Sequence, residues 1–88
     1  MRKDIKSRLE KRLKIIEGQV RGIREMIEAE KYCIDIITQT SAVKQALSGV
    51  EDALMENHLS CCAVDQIKRG KETKAKEEIL KVYRLKRR

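Results

Sequence analysis

Between Ile5 and Ile27 the apolar residues Ile5, Leu9, Leu13, Ile16, Val20, Ile23 and Ile27 recur at intervals of three and four without a break. That period aligns all seven along one side of a helix, a seam suited to packing against other helices at shallow angles. The chain has no proline and four glycines, so little in it opposes long helices. Glu30-Lys31-Tyr32 interrupts the pattern, which resumes from about Cys33 to Lys68 through Ile37, Leu47, Val50, Leu54 and Leu59. Gly70, directly after Lys68-Arg69, reads as a helix stop. Ala75, Ile79 and Val82 then predict a short third helix with a basic end, Lys86-Arg87-Arg88. The expected fold class is all-α, in one domain covering residues 1–88 without repeat or linker. A lone chain of this length buries a modest share of its surface, so oligomerisation is expected, with two hairpins of helices 1 and 2 closing a four-helix bundle.

The formal net charge of +7 is unevenly spread. Residues 1–31 hold ten Lys/Arg against six Asp/Glu, residues 32–67 one against five, and residues 68–88 ten against three. Two basic ends flanking an acidic middle suit a polyanion. The only aromatics are Tyr32 and Tyr83, too few for single-strand base stacking, so duplex DNA is the better candidate. No apolar run approaches the ~18 residues of a membrane span, and the charged start Met1-Arg2-Lys3-Asp4 is unlike a signal peptide. A cytoplasmic protein without a membrane partner is expected. Three cysteines, an odd count, favour metal or thiol chemistry over a disulfide scaffold. An enzyme is not expected, since one histidine has no serine or acid at a recognisable spacing and there is no phosphate-binding glycine loop.

Chemistry then rests on Cys33, His58, Cys61 and Cys62. On a helix His58 shares a face with Cys61 at i, i+3 and with Cys62 at i, i+4, so either pair could hold a metal. The two adjacent cysteines point about 100° apart on an α-helix, so both reach one ion only where the helix frays, and one is expected to be a bystander. Cys33 precedes His58 by 25 residues, about 38 Å along a helix rising ~1.5 Å per residue. Ligands of one ion with bonds of about 2.0–2.3 Å sit within roughly 4 Å of each other, so an unbroken helix cannot close this site. An antiparallel helix from a second copy can, with Cys33 of one chain beside His58 and Cys62 of the other at both ends of a two-fold dimer. Two thiolates and an imidazole form a soft set suited to Cu(I), whereas Zn(II) calls for a fourth ligand.

Along nearly its whole length the sequence resembles the CsoR family of transcriptional repressors. The resemblance is carried by Arg12-Leu13-Lys14-Ile15-Ile16-Glu17-Gly18-Gln19-Val20-Arg21-Gly22-Ile23 in the first helix. Tyr32-Cys33, Asp35 and Gln39-Thr40-Ser41-Ala42-Val43 match the start of the second, and His58 and Cys62 fall at the family's spacing. The resemblance implies a three-helix protomer, an antiparallel four-helix-bundle dimer and a tetramer made of two dimers. It also implies that Cys33, His58 and Cys62 bind Cu(I), that Tyr32 and Glu78 behind them couple metal to DNA, and that the metal-free repressor binds operator duplex and Cu(I) releases it. The nickel-sensing members have a histidine near the N-terminus, absent from residues 2–8 here. The extra Cys61 keeps a persulfide sensor as an alternative, and aldehyde sensing by the first cysteine is another. From a different class, a structural helical bundle with a zinc site remains a rival.

Nothing in the sequence reads as a helix-turn-helix, so DNA would meet a surface. Arg8 and Arg12 share a helical face with Ile15 and Gln19, while Lys14 and Arg21 lie on the opposite flank. Arg8, Arg12, Lys14 and Arg21 are candidate phosphate contacts and Gln19 a candidate base contact. Lys44, alone in the acidic middle, is a further basic candidate.

Overall fold

A computed structural model describes residues 1–87; Arg88, the last residue of the basic end, lies outside the described residues. Among them the regular elements are all helical: α1 (Lys3–Glu28), α2 (Cys33–His58), a π turn (Leu59–Ala63), α3 (Val64–Lys68) and α4 (Glu72–Lys86). The second expected helix is thus α2, the π turn and α3 in succession, and His58 and Val64 on either side of the π turn keep right-handed helical backbone. The third helix extends beyond the expected stretch at both ends. By its contacts the chain divides into two compact units, Met1–Leu54 and Met55–Arg88.

In the first unit α1 and α2 share a core of Leu9, Ile16, Val43 and Val50, against which Ile5, Ile23, Ala46 and Ala53 pack. Ile16 and Val43 stand nearly equidistant from Glu30 along the chain, as do Leu9 and Val50, which is the register of an antiparallel hairpin. The buried seam of α2 is therefore Val43, Ala46, Val50 and Ala53. Among the residues that sequence spacing assigned to this seam, Val50 is buried, while Ile37, Leu47 and Leu54 are exposed. On α1, likewise, Leu9 and Ile16 face the hairpin, whereas Leu13, Val20 and Ile27 lie outward. A hairpin of two helices covers only one stripe of each, so the broad apolar face divides into a covered and an uncovered half.

Both helix stops use the same local device. After α1, Glu30 N–H donates to Ile27 O at 3.0 Å and Lys31 N–H to Met26 O at 3.0 Å, with Glu30 left-handed at φ 51°. After α3, Gly70 N–H donates to Ile67 O at 3.0 Å and Lys71 N–H to Gln66 O at 2.7 Å, with Gly70 at φ 78°. This pattern satisfies carbonyls left without partners at a helix end. Glycine adopts the left-handed region freely; at Glu30 the same turn is made against the preference of an L side chain. In the second unit α3 packs on α4, and Ala63 and Ala75 are buried, small residues that permit close approach.

Candidate metal centre and nucleic-acid surface

His58 ends α2 and is half-buried. Its Nε2 lies 3.3 Å from Glu78 Oε2, within ion-pair range, yet the atom is buried without an aligned hydrogen bond. Glu78 comes from α4, and its Oε2 also accepts a 3.4 Å hydrogen bond from Gln66 Nε2. Of the expected site residues, the structure therefore brings His58 and Glu78 together and adds Gln66, which has no sequence signal of its own. A carboxylate beside one ring nitrogen orients the imidazole and leaves the other nitrogen as a ligand.

Cys61 and Cys62 sit in the π turn, both exposed, with their sulfurs 3.0 Å apart. The expectation that adjacent cysteines diverge is corrected here. A π turn bonds i to i+5, so it advances the chain by fewer degrees per residue than an α-helix and turns neighbouring side chains less far apart. From within the turn, Ser60 Oγ donates back to Glu56 O at 3.0 Å, a back-bond that perturbs the helical ladder. Asn57 Nδ2 donates weakly to Cys61 Sγ at 3.8 Å. The hydrogen bond with Cys61, assisted by desolvation, holds the Cys62 thiol above its ordinary pKa.

Cys33 is the first residue of α2 and Tyr32 precedes it; both are exposed and belong to the first unit. Among the described residues of one chain, no three His, Cys, Asp or Glu side chains gather as a chelating group. What the chain supplies is a soft donor set, two exposed thiols and an imidazole backed by a carboxylate, which fits Cu(I) better than a hard cation.

The DNA candidates Arg8, Arg12, Lys14, Gln19, Arg21 and Lys44 are all exposed. Arg12 and Gln19 line one cleft of about 280 Å³ together with Ile15, Ile16, Ala46 and Gly49. Arg21 lines a different one, of about 220 Å³, with Glu17, Val20 and Arg24. Arg12 and Gln19 thus line a different surface of α1 from Arg21.

Residues 5–85 match the family model described as "metal-sensitive transcriptional repressor". The chain belongs to that family. Among other members of the metal-sensitive repressors, the copper-sensing repressor CsoR of Bacillus subtilis is 46% identical over 79 residues, which span 90% of this chain and 78% of that protein. The copper-sensing repressor RicR of Mycobacterium tuberculosis is 53% identical over 60 residues, 68% of this chain and 62% of that protein. The crystal structure of the copper-sensing repressor CsoR with Cu(I) from Geobacillus thermodenitrificans superposes with a TM-score of 0.90 at 38% identity, covering all of this chain and 92% of that one. This family's all-α fold is the one seen here. No helix among the described residues is long and apolar enough to cross a membrane.

Proposed function

We propose that this chain is a cytoplasmic copper-responsive repressor, whose metal-free form binds operator duplex and whose Cu(I) form releases it. The observation that carries this reading is the His58–Glu78 pair, 3.3 Å apart, which ties an imidazole to the α4 carboxylate beside two exposed thiols. Cys33 of one copy and His58 and Cys62 of another hold the ion, because α2 places Cys33 at its first residue and His58 at its last. The uncovered apolar residues Leu13, Val20, Ile27, Ile37, Leu47 and Leu54 support burial against a second copy. This forms the antiparallel four-helix-bundle dimer, and two such dimers form the homotetramer. Cu(I) supplies a soft centre that joins two thiolates and an imidazole from two chains.

The residues of this chain do the rest. Cys33 and Cys62 give up their protons to become ligands, which makes loading dependent on pH. His58 turns one ring nitrogen to the ion and keeps Nε2 toward Glu78. Glu78 and Tyr32 respond to that change behind the ligands, and α4 transmits it. Arg8, Arg12, Lys14, Arg21 and Lys44 contact phosphates, with Gln19 at a base edge. A swing from 99:1 bound to 99:1 released needs about 5.5 kcal/mol of differential affinity between the two forms.

The test is binding to one short operator duplex, titrated separately with Cu(I), Zn(II), Ni(II) and a persulfide donor. Copper alone is expected to weaken binding by at least a hundred-fold, about 2.7 kcal/mol, and by about ten-thousand-fold for the full swing. Release by the persulfide donor and not by copper would transfer the inducer to thiol chemistry. Unchanged DNA affinity under every addition would leave a helical scaffold or an effector-neutral DNA binder.

A further inference from the structure

The copper reading uses Cys62 and leaves Cys61 without a task. Yet the two thiols are exposed and lie 3.0 Å apart within one chain. They open onto a cavity of about 490 Å³ whose wall also includes Asp65, Gln66 and Arg69, all from the second unit. Because the cysteines are consecutive, the pair needs no second copy to be complete.

The sulfur separation discriminates between occupants. With bonds of about 2.3 Å, two sulfurs on one ion lie roughly 4.6 Å apart if collinear, roughly 4.0 Å in a trigonal plane and roughly 3.8 Å on a tetrahedron. A separation of 3.0 Å is narrower than any of these and corresponds to an angle somewhat below a right angle; because both side chains are exposed and can rotate, it favours a narrow bite without barring a wider one. Linear or trigonal Cu(I) and tetrahedral Zn(II) need a wider bite than the one these thiols hold. A trivalent pyramidal centre of the heavier p-block, with bond angles near a right angle, suits a narrow bite.

We propose that Cys61 and Cys62 form an intrachain dithiol site for trivalent arsenicals carrying one organic substituent, with the substituent lodged in the adjoining cavity. A compound R–As(OH)₂ condenses with both thiols. Two As–O bonds break and two As–S bonds form, and each thiol proton leaves with a hydroxide as water. Arsenic stays trivalent, no electrons are transferred, and no co-reactant is required. The groove is open and polar, with Lys71 and Lys74 also on its wall, and its volume leaves room for a small substituent. The site does not rest on the copper reading, since Cys33 and His58 take no part.

The test uses the full chain carrying Cys33→Ser, which cannot close the proposed copper site, and phenylarsine oxide as probe. Mass spectrometry is expected to find one phenylarsenic group per chain, with both remaining thiols protected from maleimide. Adding Cys61→Ser or Cys62→Ser should each weaken uptake at least ten-fold, with helix content by circular dichroism as the folding control. In the unsubstituted protein, tryptic mapping should place the adduct on the single peptide containing both Cys61 and Cys62, a readout independent of any variant. Absence of an adduct on the Cys33→Ser chain, equal uptake after Cys61→Ser, or an adduct joining Cys33 of one chain to Cys62 of another would each overturn the proposal.

Discussion

Glu78 Oε2 stands 3.3 Å from His58 Nε2 and takes a second polar contact from Gln66 Nε2 at 3.4 Å, so the end of α2 and the middle of α4 meet at one carboxylate oxygen. A carboxylate in that position sets which way the imidazole faces, and it reports any change at the ring to the helix that carries it. The pair is partly exposed, and as an ion pair it adds little to stability. In the proposed mechanism its importance lies in coupling.

The first prediction follows from this contact. Glu78→Ala should still bind Cu(I), with affinity reduced by no more than about 10–100-fold, as is usual when a group behind a ligand is removed. At saturating Cu(I), the copper-induced loss of operator affinity should shrink at least ten-fold from its value in the unsubstituted protein. Measuring copper and DNA binding on the same samples checks both. Copper affinity abolished with coupling intact in the residual bound fraction would make Glu78 a ligand instead. Tyr32→Phe, which keeps the ring and removes the hydroxyl, should lose part of the same response.

The proposed two-chain site predicts complementation. Cys33→Ala and Cys62→Ala should each bind copper weakly as homodimers. Mixed by co-refolding, the Cys62→Ala chain contributes Cys33 and the Cys33→Ala chain contributes His58 and Cys62, rebuilding one site in each mixed dimer. Random exchange makes about half the dimers mixed, so tight copper should approach one ion for each of those, a count that follows from two-fold symmetry. No gain in tight copper after exchange verified by mass spectrometry would place the site within one chain.

The exposed basic flank of α1 predicts an electrostatic DNA interface. Arg12→Ala should weaken operator binding and reduce the slope of log affinity against log salt by about 1 for each Arg12 that meets a phosphate. Copper affinity should not change, since Arg12 lies in the α1 cleft with Gln19 and not among the proposed ligands. Coincident binding curves for both proteins at every salt concentration would move the DNA surface elsewhere.

The paired helix stops predict opposite effects of glycine. Glu30→Gly relieves a left-handed non-glycine residue and should raise stability by about 0.5–1 kcal/mol, whereas Gly70→Ala should lower it by about 1 kcal/mol. Urea midpoints at matched protomer concentration provide the comparison, because stability of an oligomer depends on concentration. A lower midpoint for Glu30→Gly would mean that the Glu30 side chain makes a compensating contact.

The helical class, the break at Glu30-Lys31-Tyr32, the stop at Gly70 and the presence of soft donors, three cysteines and one histidine, were legible from residue order alone. Apolar period, turn chemistry and ligand type are local properties of a sequence, and each survives without knowledge of neighbours. Which half of a broad apolar stripe is covered is not local. Leu9 and Ile16 are buried while Leu13 and Val20 are exposed, although all four belong to one periodic run, because only α2 packing decides the difference. The approach of Cys61 to Cys62 was missed for a related reason. An α-helix turns adjacent side chains apart, and a single π turn, for which the sequence carries no local signal, reverses that outcome. Gln66 and Glu78 converge because α3 folds back on α4, a distance along the chain that no spacing rule spans. Sequence determined the elements and their donor groups; tertiary packing decided which side chains share a carboxylate, because such contacts depend on how elements distant in sequence pack together.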